Sequence, residues 1–210
     1  MNNRSILNFL SHLLYNQFSW SYDIVASVVS LGLWEKWVMS VLPFIPIGKI
    51  LEIGFGPGHL QTTLNKEGNR DVFGIDLSSS MCRLASRNIK RWNYIPKIVR
   101  GISTHLPFPN TYFDTIVSTF PTSYILEEAS FYEINRILKS NGTIVILPFA
   151  WFKRNHLFQS IVSQIMYNTG QFDFWINYFK TTFYFHRLDL SFKFIDLDKS
   201  RILIVIGNKL

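Results

Sequence analysis

Between residues 49 and 149 the chain alternates short β-branched runs with helix-forming stretches, and no other feature restricts its fold as strongly. Five runs read as strands: "KILEIG" (49–54), "DVFGID" (71–76), "KIVRG" (97–101), "FDTIVSTF" (113–120) and "TIVILPF" (143–149). Between them lie "HLQTTLNKEG", closed by Gly68, and "SSSMCRLASRNIKRW" (78–92), with a serine as N-cap. "EEASFYEINRILKSNG" (127–142) is amphipathic and is predicted to end on an Asn141-Gly142 C-cap. Such alternation argues for a parallel sheet with helices on both faces. At the end the pattern changes, because "FKFIDL" and "RILIVIG" flank "DKS" and predict an antiparallel hairpin at a sheet edge. The expected fold is α/β: a three-layer sandwich around a mostly parallel, seven-stranded sheet with a C-terminal antiparallel hairpin.

N-terminal helices precede this core. Leu7, Leu10, Leu14 and Phe18 fall at helical spacing, as do Val25, Val28, Val29 and Leu33, and "PFIPIG" (43–48) ends the section. The chain therefore divides, within a single domain, into an N-terminal helical cover (1–46) and a cofactor-binding core (47–150). An aromatic-rich helical insert (151–190) and the edge hairpin (191–210) complete it. At 210 residues, with 48% hydrophobic and 17% charged side chains, one domain with a sizeable core is expected.

Composition narrows the function classes. The lone Cys82 excludes an internal disulfide and a cysteine-built zinc site, which suits a reducing compartment. His12, His59, His105, His156 and His186 show no metal-ligand spacing, so no metal is expected. No secretory signal is visible, and the apolar run at 24–34 is too short to span a bilayer; a cytoplasmic protein is the expectation. The formal charge of +7 is dispersed, and "RNIKRW" (87–92) fits the solvated end of a helix, which disfavours a nucleic-acid partner.

Gly54, Gly56 and Gly58 stand where the first strand turns into a helix. Glycine lets a ligand approach the backbone, and the helix start offers unpaired N–H groups. A dinucleotide fingerprint needs glycine at position 59, where His59 stands, and Glu52 inside the strand would repel a pyrophosphate. A nicotinamide-dependent oxidoreductase is thereby disfavoured. Asp76, at the end of the second strand, can accept hydrogen bonds from a ribose diol; its plainer role is to cap the next helix.

"LEIGFGPGHL", "GIDLSSSM", "LPFPNTYFDTIVSTF" and "EINRILKSNGTIVIL" resemble, in order and spacing, the class I S-adenosylmethionine-dependent methyltransferases. The resemblance is closest to the small-molecule branch that holds the ubiquinone and menaquinone methyltransferases. It covers about residues 49–147, and it implies a Rossmann-like sandwich with S-adenosylmethionine as cofactor. By this resemblance Glu52, Gly54, Gly56 and Gly58 line the methionine part and Asp76 binds the ribose hydroxyls. Leu77 and Met81 pack beside the adenosine, Ile102 and Ser103 flank the adenine, and Thr119 and Phe120 line the floor near the reacting methyl. Relatives often carry an acid after the glycine that closes strand three; here Ile102 and Ser103 leave the adenine amino group to Ser103, backbone or water. "WSYD" (20–23) matches a Tyr-Asp pair in a segment that covers the cofactor in quinone-type relatives. That implies Tyr22 closes over the methionine end, the alternative being a core aromatic that pins a helix to the sheet.

A sulfonium methyl is already electrophilic, so in such an enzyme the protein chiefly aligns the acceptor, and no fixed triad is expected. Where a base is needed, His105, His59 and Tyr124 are the candidates, each against the reading of a surface or helix-entry residue. "TFPT" (119–122) lacks the Pro-Pro pair that enzymes acting on base amines carry, which counts against adenine N-methylation. Phe149, Trp151, Phe152, Phe172, Phe174 and Trp175 predict an apolar pocket or lid for a small, hydrophobic acceptor. Two competing expectations are a cofactor-binding pseudoenzyme whose aromatic residues serve a partner protein, and a peripheral membrane protein held by its N-terminal helix.

Overall fold

The structure, a computed structural model, describes residues 30, 32–68, 70–153 and 171–210. Tyr22 and the rest of the expected N-terminal cover up to residue 29 lie outside the described residues, as do residues 154–170 of the insert.

The elements, in chain order, are α1 (Trp34–Met39), β1 (Lys49–Ile53), α2 (His59–Lys66), β2 (Asp71–Asp76), α3 (Ser79–Lys90) and β3 (Lys97–Arg100). They continue with β4 (Phe113–Thr119), α4 (Glu128–Ile137), β5 (Leu138–Phe152), α5 (Gln171–Phe185), β6 (Leu188–Asp196) and β7 (Ser200–Lys209). One-turn 3-10 helices follow α1 at Leu42–Phe44 and β4 at Ser123–Leu126. All seven strands form one sheet in the order β3-β2-β1-β4-β5-β7-β6. β1 to β5 pair in parallel, while β7 runs antiparallel to both β5 and β6. The expected mostly parallel sheet with its antiparallel end is therefore present.

Strand alternation builds the three layers, because successive side chains point to opposite faces. Leu51, Ile116, Ile144, Ile146, Leu203 and Val205 meet Phe131 and Ile134 of α4 and Phe179 and Phe183 of α5. Their neighbours Ile50, Val117, Val145, Leu147, Ile202 and Ile204 meet Trp37 and Val38 of α1 and Leu60 and Leu64 of α2. Continuous apolar runs rather than alternating ones follow directly, since both faces are covered.

Two boundaries differ from the sequence expectation. The helix predicted to reach Asn141-Gly142 stops at Ile137, and β5 begins at Leu138. Its terminal carbonyls are met by a charge instead of a glycine cap: Lys209 Nζ donates to the Asn135 and Leu138 carbonyls at 2.6 and 2.9 Å. Asn141, at φ 60°, instead serves a register shift, where pairing jumps from Phe113–Leu138 to Thr115–Thr143. Trp151 and Phe152 belong to β5 rather than to a helical lid. They pair with Arg201 and Ser200 of β7, and the Phe152 ring lies 5.5 Å from Trp37. Aromatic side chains suit a strand covered on both faces, and this covering is a tertiary property.

Arg136 ties α4 to the segment that follows β3. Its guanidinium donates to the carbonyls of Leu106 and Phe108 at 2.9 and 2.8 Å and to Asn110 Oδ1 at 2.8 Å, and it pairs with Glu133. Glu133 in turn accepts from the Leu106 N–H at 2.8 Å. Arg136→Ala strands these acceptors and is expected to cost about 3 kcal/mol. A thermal or urea unfolding midpoint within error of wild type would contradict that.

Candidate functional site

The sheet order reverses at β1, since β2 pairs on one side of it and β4 on the other. Crossovers leave a crevice outside the carboxyl ends of the strands at such a point. The loop from Gly54 to Gly58 runs across it between β1 and α2. Gly56, at φ 53°, has nothing within 4 Å of where a Cβ would stand, so the backbone there is open to a ligand. Gly54, at φ 75°, is closed instead: a Cβ would stand 2.5 Å from the Tyr124 hydroxyl oxygen.

Asp76 holds the loop from the end of β2. Its Oδ2 accepts the Gly56 N–H at 2.9 Å and its Oδ1 accepts the Ser78 N–H at 2.8 Å, and it is buried. Burial raises its pKa against the lowering effect of these two amides. Glu52 is buried in the middle of the sheet, where Gln61 Nε2 donates to it at 2.9 Å. Its pKa is pushed up to about 8 by burial first; the Gln61 bond opposes the rise and Asp76 adds to it. Two acidic side chains thus stand under one glycine loop, Asp76 holding its backbone and Glu52 buried against Gln61.

The other expected residues divide. Leu77 and Ile102 are apolar yet 63% and 45% exposed at the ends of β2 and β3, as a surface for a flat apolar group requires. Met81 is wholly buried on the inner face of α3, and Ser103 is buried with its hydroxyl 2.7 Å from that of Ser130. Thr119 ends β4, and Phe120 follows at φ 49° with its ring stacked 4.3 Å from Trp34. His59 opens α2, and His105 is exposed with Nδ1 3.2 Å from Thr104 Oγ1. Tyr124 is half-buried in the crevice and donates to the Ile53 carbonyl at 3.1 Å. Tyr22 lies outside the described residues.

Sequence reasoning missed Gln61, Ser118 and Trp34. Gln61 carries a readable signal, because it sits beside Leu60 and Leu64 on the buried face of α2, where a polar side chain needs a partner. Ser118, a polar residue inside the apolar run of β4, carries the same signal and donates to the Ile53 carbonyl at 2.8 Å. Among the described residues, no grouping of three His, Cys, Asp or Glu side chains forms a metal site, and no helix is long and apolar enough to cross a membrane.

A glycine loop and a β2 carboxylate at the strand-order reversal form the arrangement in which open α/β sheets receive nucleosides. Comparison with known proteins agrees with that arrangement. Residues 51–146 match the model of a methyltransferase domain. A ubiquinone/menaquinone biosynthesis C-methyltransferase of Geotalea daltonii is 26% identical over 137 residues, covering 61% of this chain and 58% of its own. The crystal structure of a putative S-adenosylmethionine-dependent methyltransferase from Methanococcus maripaludis superposes with a TM-score of 0.55 and 24% identity, covering 94% of this chain and 90% of that one. Geranyl diphosphate C-methyltransferase from Streptomyces coelicolor, solved with S-adenosylhomocysteine, has a TM-score of 0.57 at 14% identity, covering 77% and 72% of the two chains. Residues 51–146 thus resemble a methyltransferase domain, and the sheet has the fold of S-adenosylmethionine-dependent methyltransferases. The chain spans 58% of the length of the Geotalea relative.

The residues present fit that cofactor. Open space at Gly56, a carboxylate at the end of β2 and exposed apolar side chains beside it suit a nucleoside.

Proposed function

We propose that the chain transfers a methyl group, in line, from S-adenosylmethionine to a small, hydrophobic acceptor. The observation that carries this reading is the bond between Asp76 and Gly56, which joins a ribose-binding carboxylate to an open glycine at the strand-order reversal. Asp76 holds the ribose, Leu77 and Ile102 sandwich the base, and the loop around Gly56 receives the rest. The cofactor supplies an electrophilic methyl on a positively charged sulfur. The protein's part is to exclude water and hold the acceptor in line, where orientation alone lowers the barrier.

The stacked pair Trp34 and Phe120 stands at the end of β4, on the acceptor side of the crevice, and Trp37 lies 6.1 Å from Phe120. An aromatic wall there favours an acceptor with an apolar body. His105 and Tyr124 are the groups to move a proton if the acceptor must lose one. Residues 32–46 act as cover and 191–210 as edge support. Methyl transfer screened against phenol, quinol, amine and lipid pools tests the reading; labelling confined to polar amines would overturn the apolar acceptor.

Glu52 gives the site a pH dependence. Its folded pKa of about 8 lies above the unfolded value of 4.5, so its proton stabilises the fold fully below 4.5, and that contribution is lost as pH rises towards 8. A cation bound above it favours the carboxylate, so affinity for S-adenosylmethionine is expected to rise over the same window. Glu52→Gln should flatten both trends, read by thermal unfolding and by calorimetry between pH 5 and pH 9. A slope unchanged in Glu52→Gln would remove Glu52 as its source.

A further inference from the structure

Strand β6 forms one margin of the sheet, and among the described residues β7 is its only strand neighbour. Its nine residues make a long edge. The register with β7 runs unbroken, and the bonds at its two ends fix which backbone groups face outwards. The Leu197 N–H donates to the Ser200 carbonyl at 2.8 Å, and the Leu210 N–H donates to the Arg187 carbonyl at 3.2 Å. Bonded and non-bonded pairs alternate along an antiparallel ladder. Asp189, Ser191 and Lys193 therefore bond inwards to β7, while the N–H and C=O groups of Leu190 and Phe192 turn to the open edge.

Side chains divide by the same alternation. Leu190 and Phe192 are half-buried and pack against the core face that α4 and α5 cover. Asp189 and Lys193 stand exposed on the opposite face. Four residues apart on an extended strand, these two charges are roughly 13 Å from each other and cannot pair within one chain. Among the described residues neither joins an ion pair.

A second copy of the strand answers both charges. Turned antiparallel about a two-fold axis at Ser191, it sets Asp189 opposite Lys193 of the second copy, and Lys193 opposite Asp189 of the second copy. The same register brings Leu190 opposite Phe192, so the outward N–H and C=O groups of these residues meet their counterparts. Moving the axis to Phe192 leaves Asp189 opposite Ile195, and moving it to Leu190 sets Lys193 against Arg187. Neither shift keeps a charge pair.

We propose that β6 is a self-association surface, on which a second copy of this chain pairs antiparallel and the two Asp189–Lys193 contacts select the register. A lysine on an edge strand ordinarily deters pairing; here Asp189 answers it in one alignment. Two sheets then continue into one. Because the paired strands reverse direction, the two crevices open towards opposite ends and neither covers the other.

The test is sedimentation equilibrium between about 1 μM and about 1 mM, on wild type, Asp189→Lys, Lys193→Glu, the double variant and an equal mixture of the two single variants. Wild type is expected to dimerise within this range. Each single variant sets like charges opposite each other twice, and should weaken the dimer at least about tenfold. The double variant restores opposite charges and should associate as wild type does. In the mixture, one chain carries two cations on its edge and the other two anions, so a heterodimer should form more tightly than either variant with itself. A wild type still monomeric at about 1 mM would overturn the proposal. So would dimers indifferent to the single substitutions, or a mixture that associates no better than its components.

Discussion

Asp76→Ala is expected to lower affinity for S-adenosylhomocysteine by at least about a hundredfold, the largest effect of any single substitution in the site. One side chain performs two tasks there. Towards the ligand, the role proposed for its carboxylate is to accept from a ribose diol at the end of β2. Towards the protein, it fixes the N–H groups of Gly56 and Ser78. Removing it frees the loop and the start of α3 together, so ordering the loop again must be added to the cost of binding. Asp76→Asn keeps one acceptor oxygen and should lie between the two. Calorimetry measures both, and a loss of less than about threefold in Asp76→Ala would mean that the nucleoside sits elsewhere.

Gly54→Ala is expected to damage stability and binding at once. The residue takes φ 75°, a conformation that costs an L-residue roughly 1–2 kcal/mol. Its new Cβ would also stand 2.5 Å from the Tyr124 oxygen, far inside contact distance. The two costs can be separated. Adding Tyr124→Phe to Gly54→Ala removes the oxygen but leaves the backbone strain, so the double variant should recover part of the lost stability. Unfolding midpoints of the single and double variants form a cycle in which the effects do not add. Simple additivity would mean that the hydroxyl and the glycine do not meet in solution.

The sheet was legible in the sequence because both its faces are covered. Ile50 and Leu51, or Ile116 and Val117, are neighbours that bury on opposite sides, so each strand appears as an unbroken β-branched run. The helix ends were less legible. Nothing local announces that Lys209, at the far end of the chain, caps α4, and so Asn141-Gly142 read as the better stop. Trp151 and Phe152 misled for a similar reason: an aromatic run reads equally as lid or strand until its partner, β7, is in place. In the site, the glycines and Asp76 follow from spacing, because a turn at a strand end is a local matter. Tyr124 is named by the sequence as a candidate base, but its bond to Ile53 is not legible there, since it joins positions 71 residues apart and only the order of the strands brings them together. Ser103 shows the limit from the other side. Its position is suitable, but its hydroxyl is engaged with Ser130.

Titration of the wild-type chain with S-adenosylhomocysteine, repeated with NAD, tests the central claim most directly. The account predicts saturable one-site binding of the sulfur nucleoside, lost in Asp76→Ala, and no binding of NAD to a loop flanked by Glu52 and His59. Binding of NAD with no response to S-adenosylhomocysteine would contradict it.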